Sequence, residues 1–251
     1  MTSTTLFYII IAIIIINFIV DKILDTLNAK HYNDAIPPEL QDVYDEEEYK
    51  KSQAYKATNY KFGVWSSTFS IVVTLAFLMF GGFEYVDTLA RSYSDNSIII
   101  ALIFFGIIML GSDIISTPFA YYKTFVIEEQ FGFNKTTKKT FMLDKIKRLV
   151  MMVVLGGGLI AAIIWFYEET QHLFWLYAWA IVTAFTVFMN MFYAKLIVPM
   201  FNKQTPLEEG SLRDKISDYA QTVGFNLDKI FIIDGSKRST KANAYFSGFG
   251  S

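Results

Sequence analysis

The chain has 251 residues, of which 53% are hydrophobic and 17% aromatic, and a formal net charge of -2. That balance excludes a nucleic-acid-binding surface, and the absence of cysteine excludes disulfides and thiolate metal sites. Only two histidines occur, His31 and His172, too far apart to share a ligand spacing, so no metal site is expected within the chain.

A bilayer-spanning helix needs about 20 apolar residues, and five stretches meet that length. Thr2–Val20 is uncharged and rich in isoleucine. No Lys or Arg precedes Lys22 and no small-residue cleavage site follows, so the stretch reads as an uncleaved anchor, not a signal peptide. Ile36-Pro37-Pro38 is extended punctuation, and Glu39–Lys61 has helical spacing with an acidic run at Asp45–Glu48. A solvated helix face is the expected role of that run. The second span, Phe62–Phe83, is uncharged.

The third span, Asn96–Tyr122, contains Asp113 and a kink-forming Pro118. A carboxylate at membrane depth is costly and faces either a water-filled cavity or a polar partner on another helix. Both readings of Asp113 stand, chamber-lining and structural. The Glu128–Glu129 pair has no nearby histidine and reads as a polar loop or helix entry. Leu149–Tyr167 and Leu173–Val198 are the fourth and fifth spans, with Lys195 near the end of the fifth. Asn17 and Asn190 are expected to hydrogen-bond between helices. Continuous apolar runs without alternation exclude barrel strands.

Lysines crowd two of the loops. Lys22, Lys30, Lys50, Lys51, Lys56 and Lys61 lie between spans one and two, and a second basic cluster lies between spans three and four; Arg91 is alone in the loop after span two. Positive-inside bias predicts an N-terminus outside, with the basic loops and the C-terminal segment in the cytoplasm.

After span five, Thr205–Gly210 reads as a loop. Leu212, Ile216, Tyr219, Ala220 and Val223 recur at helical spacing, and Gly224 suits a stop. Lys229–Asp234 is a short strand, Gly235–Ser236 a turn and Ala242–Phe246 a second strand. One helix and two strands cannot bury a sufficient core, so 201–251 reads as an incomplete domain after a membrane domain at 1–200. A partly exposed strand at Asn243–Phe246 would bind an extended peptide along its edge. The alternative is that Asn243 only closes a turn.

Four blocks in order carry a resemblance: Ile36-Pro37-Pro38, Glu129–Thr136, Val198–Pro206, and Asp234–Ser239 with Asn243–Gly248. Together they resemble the CAAX prenyl protease type I family of integral-membrane zinc endopeptidases, over nearly the whole chain. The resemblance implies an α-helical multi-pass fold of seven membrane helices around a water-filled chamber, closed by a cytoplasmic zinc protease domain. Five of those helices and the start of the domain are present here. It implies zinc as cofactor, and prenylated or other peptide substrates cut near their C-terminus, in a bacterial plasma membrane or the endoplasmic reticulum. The family's zinc ligands belong to an H-E-x-x-H motif and a later Glu, none of which this sequence contains, so the chain alone is expected to be inactive. The resemblance further implies that Asn243 faces the scissile bond and contacts the oxyanion, with Ala244, Tyr245 and Phe246 binding substrate. Some relatives carry a His where this chain has Lys241. The competing readings are a non-catalytic membrane scaffold or transport subunit, and a channel drawing on Asp113.

Overall fold

The computed structural model describes residues 2–43, 45–227 and 229–246. Among them, five helices are long and apolar enough to cross a membrane, as expected. Their large apolar side chains, Ile13, Ile16, Phe105 and Val187 among them, stay substantially exposed. An aqueous domain would bury such surface, and lipid solvates it. This is an integral, multi-pass membrane protein.

Helix α1 (Ser3–Ala29) starts at Thr2, whose hydroxyl accepts from the Thr5 N–H, and runs into a 3-10 turn at Lys30–Asn33. Helix α2 (Glu46–Met79) is 34 residues long, about 51 Å at 1.5 Å per residue. It therefore extends well past a hydrocarbon core of about 30 Å. The expected loop-one helix and second span are thus one rod that begins at Glu46, not at Glu39. The acidic run is its start. The Asp45 carboxylate accepts from the Glu47 and Glu48 N–H groups at 2.9 and 3.1 Å, and Glu46, Glu47 and Glu48 fill the positive end of the helix dipole.

The second span ends at Met79 and not at Phe83. Gly81 turns the chain with φ +70°, and Gly82 opens an unpredicted amphipathic helix, α3 (Gly82–Arg91), which buries Val86 and Ala90. A Cβ at Gly82 would lie 2.4 Å from the Phe77 ring. Glycine is required there by close approach.

Helix α4 (Ser97–Gln130) runs through Pro118 and includes a π turn at Lys123–Ile127. Glu128 and Glu129 lie on its last turn, so the pair is a helix exit where a loop or entry was expected. Helix α5 (Lys138–Thr170) begins at the Thr137 cap, well before the apolar span, and α6 (Phe174–Phe201) extends just past the fifth span. Each contains one π turn, Met152–Gly156 and Tyr193–Ile197. The Asn190 amide donates to the Thr186 carbonyl of its own helix at 2.9 Å, where an interhelical bond was expected.

Beyond α6, Gln204–Pro206 (β1) pairs antiparallel with Phe231–Ile233 (β2), around helix α7 (Ser211–Thr222). Strand β1 replaces part of the expected loop. Ala242–Phe246 is not a strand; its backbone is irregular and exposed. A lone strand without a paired neighbour leaves its N–H and C=O groups to water and gains no ladder.

The chain divides into two compact units, residues 1–92 with 107–131, and 93–106 with 132–251. In the first, Phe62 stacks on Tyr122 at 5.3 Å, and Phe69 packs on Phe119 at 5.1 Å. Tyr55 donates its hydroxyl to Glu128 and sets its ring edge-on to Phe131. In the second, Phe166 of α5 stacks on Tyr177 of α6 at 5.4 Å.

Candidate functional site

The second unit gathers its polar contacts at Arg238, in the turn after β2. Its guanidinium donates from Nε and Nη2 to the two carboxylate oxygens of Asp144 at 2.7 and 2.8 Å. Its Nη1 donates to the Asn202 side-chain oxygen at 2.6 Å. Asp144 lies on α5 and Asn202 follows α6, so one planar cation joins two membrane helices. The paired N–H groups of arginine match a carboxylate in two parallel bonds.

Asp144 is the buried charged side chain among the described residues. Arg238 donates hydrogen bonds that hold its carboxyl below the usual carboxylate range, against the opposing effect of burial. The Asp144 carboxylate in turn raises the Arg238 guanidinium above its ordinary value. A charge this buried is tolerated because both its oxygens are engaged.

The backbone around Arg238 is tied as firmly. The Lys135 N–H and the Thr136 hydroxyl donate to the Arg238 carbonyl at 3.0 and 3.1 Å. The Thr240 N–H donates to the Phe133 carbonyl at 3.1 Å, and its hydroxyl to the Gly132 carbonyl at 3.2 Å. Asn134 and Ser239 thus face each other in an antiparallel bridge, and Lys241 sets its ammonium 4.5 Å above the Phe133 ring. The loop preceding α5 and the segment after β2 meet along this seam. The turn itself closes on Asp234, whose carboxylate accepts from the Ser236 hydroxyl and N–H, which hold it below its ordinary range.

Asn243, Ala244, Tyr245 and Phe246 follow directly and are exposed. The Asn243 side-chain oxygen accepts from the Ala244 N–H at 2.9 Å, a local contact of the kind that closes turns. Phe246 meets the Phe225 ring edge-on at 5.5 Å. Partial burial raises the Tyr245 phenol above its ordinary value, helped by Tyr193. Asp113 belongs to the first unit, exposed on α4, and its carbonyl accepts from the Ser116 and Thr117 hydroxyls at 3.1 and 2.5 Å.

No three His, Asp or Glu side chains converge among the described residues, so the donors present do not fit zinc. His31 meets Asp34 at 2.7 Å, and Lys50 pairs with Glu46 at 2.7 Å, so these side chains between the first two spans find local partners. Sequence reasoning missed Arg238 as a site residue. The signal was there, since Arg238, Asn202 and the 134–136 backbone belong to three of the four resembling blocks, but their convergence is a tertiary fact.

The family described as CAAX prenyl protease N-terminal, five membrane helices, matches residues 25–203. CAAX prenyl protease 1 of Saccharomyces cerevisiae is 34% identical over 223 residues, covering 85% of this chain and 49% of that protein. The human CAAX prenyl protease 1 homolog is 34% identical over 221 residues, covering 85% and 46%. The crystal structure of S. mikatae Ste24p superposes with a TM-score of 0.87 at 33% identity, covering 96% of this chain and 58% of that one. The chain therefore spans about half the length of the curated relatives it matches.

Proposed function

Because the chain belongs to the CAAX prenyl protease family through its N-terminal, five-helix domain, we propose that it is the membrane portion of a zinc metalloendopeptidase cleaving prenylated CAAX proteins near their C-terminus. The observation that carries this reading is the anchored, exposed segment Asn243–Phe246, delivered by the Arg238 seam from the ends of two membrane helices. On this reading residues 1–200 form the membrane domain, with the N-terminus outside, and 201–251 begin the cytoplasmic protease domain. The resemblance assigns the zinc ligands to the part of the relatives that this chain does not span. Bound there, zinc would polarise the scissile carbonyl and activate water.

This chain's own residues then have two tasks. The first is to hold peptide: the Ala244 carbonyl and the exposed backbone of Tyr245 and Phe246 offer C=O and N–H groups to an extended substrate, and the Tyr245 and Phe246 rings offer apolar contact. Backbone pairing tolerates many sequences. The second is to stabilise charge. An Asn243 amide held by its oxygen directs its N–H donors elsewhere, and such a donor at the developing oxyanion contributes roughly 3–4 kcal/mol. Asp113 is assigned to the lining of the chamber. Continuing this chain through the C-terminal half of the S. cerevisiae relative and supplying a farnesylated CAAX peptide tests the proposal. Cleavage near the peptide's C-terminus supports it. A folded, zinc-loaded protein that leaves the peptide intact points to the scaffold reading instead.

A further inference from the structure

Arg238 reaches Asp144 on α5 and Asn202 after α6 at once, while its own carbonyl is held by Lys135 and Thr136. We propose that Arg238 is a positioning residue that sets where the Asn243–Phe246 segment lies relative to α5 and α6, and so keeps the peptide-contacting backbone in register for turnover. The proposal rests on the proteolytic reading and deepens it.

Three observations support it. First, hydrogen bonds tie this segment, upstream of Asn243, to α5, to the end of α6 and to the loop preceding α5: the guanidinium to Asp144 and Asn202, and the Asn134–Ser239 bridge. Past Lys241 the contacts are an Asn243–Ala244 bond and ring contacts, Phe246 edge-on to Phe225 and Tyr245 near Tyr193 of α6. Second, the lever is short. Four residues lie between Arg238 and Asn243, at most about 17 Å of extended chain, so a loosened Arg238 is felt directly at Asn243. Third, the chemistry of the contact is orienting. Two parallel bonds to Asp144 and a third to Asn202 fix the plane of the guanidinium. A lysine would keep the charge and lose that plane. An apolar plug would hold the helices together without setting a direction.

The chain contains no cysteine, so paired labels are specific. Cysteines at Met142, exposed on α5, and at Ala242 would carry spin labels in the full chain, with dipolar distances measured in nanodiscs. A narrow distribution is expected with Arg238 intact, and at least a doubled width in Arg238→Lys and in Asp144→Asn. An unchanged width in both variants overturns the proposal. In the extended, zinc-loaded protein, Arg238→Lys should lower kcat tenfold or more with KM within threefold and zinc content preserved. A loss confined to KM overturns the proposal as well.

Rescue separates positioning from mere folding. Asn134 and Ser239 form a pair flanked by bonds from Lys135 and Thr240, the non-hydrogen-bonded type with Cα atoms about 4.5 Å apart, within disulfide range. Asn134→Cys with Ser239→Cys, oxidised in the Arg238→Lys background, should restore kcat to within threefold of the same cysteine pair with Arg238. A formed disulfide without recovery contradicts positioning. If label widths respond but no extended protein cleaves peptide, the proteolytic reading fails while the positional role stands on the distances.

Discussion

Replacing Asp144 by asparagine should release the segment after β2 without disturbing the membrane helices. The substitution preserves shape, keeps one acceptor for Arg238, and turns an amide donor toward the other guanidinium N–H. Breaking a buried ion pair by removing one partner costs about 3–5 kcal/mol. The Arg238 side chain is 24% exposed against 11% for Asp144, so solvent screening lowers the expectation to about 2 kcal/mol. That free energy is about a thirtyfold rise in the open population, at 1.4 kcal/mol per decade. The amides that report opening are those of Lys135 and Thr240, which donate across the seam. Their hydrogen-exchange protection should fall about thirtyfold, while amides inside α5 and α6 keep theirs. The pH dependence follows from the sign of the shift. Asp144 is held below the usual carboxylate range in the folded protein, so its stabilisation is complete above the unfolded carboxyl value of about 4. It is lost as pH falls through the lower folded value. Protection at Lys135 and Thr240 should therefore collapse only in that acid window, and Asp144→Asn should abolish the transition. A change under threefold at neutral pH, or equal loss of protection throughout α5, would refute the reasoning.

Tyr55→Phe keeps the ring edge on Phe131 and removes the bond to Glu128. A hydrogen bond to a charged group is worth about 1.5–3 kcal/mol; with both residues part-exposed, about 1 kcal/mol is expected, read as a Tm lowered by about 2–4 °C in detergent. Gly82→Ala must displace the Phe77 ring and should cost about 1–3 kcal/mol as overpacking does, whereas the same change at Gly63, where a Cβ meets nothing within 4 Å, should leave the Tm unchanged or raised. A cysteine at Lys138 should react with an impermeant thiol reagent only from the cytoplasmic side, and one at Asp95 only from outside; the reverse pattern overturns the proposed orientation. The purified chain should retain no stoichiometric zinc after dialysis, and one zinc per chain would direct attention to His31 and the Asp45–Glu48 run.

The five spans were legible because lipid imposes length and apolarity on one continuous segment. The helices' extramembrane ends were read only in part. Residues 46–61 show helical spacing but 138–148 went unread, and because both are polar, hydropathy stops where the helices do not; the Asp45 and Thr137 caps mark their true starts. Helix α3 escaped because the apolar pattern ran on to Phe83, while the Gly81 turn is a matter of backbone conformation. The strand expected at Ala242–Phe246 rested on composition, and a strand needs a partner that composition does not supply. Arg238 looked like one more cation in Lys237–Lys241. Its partners lie 94 and 36 positions away, a distance no local pattern reports.

The central claim is that the segment this chain contributes at Asn243 takes part in peptide cleavage. Turnover of a farnesylated peptide by the extended protein, compared with its Asn243→Ala variant, tests that most directly. Loss of one oxyanion donor predicts a kcat lowered by about a hundredfold or more, with zinc content and thermal stability retained. Lys241→Ala, which gives up a contact on Phe133 worth about 0.5–1 kcal/mol, should change kcat less than threefold. An Asn243→Ala variant that turns over at the original rate, or that no longer folds, would contradict the account and leave Asn243 a closer of the turn at Ala244.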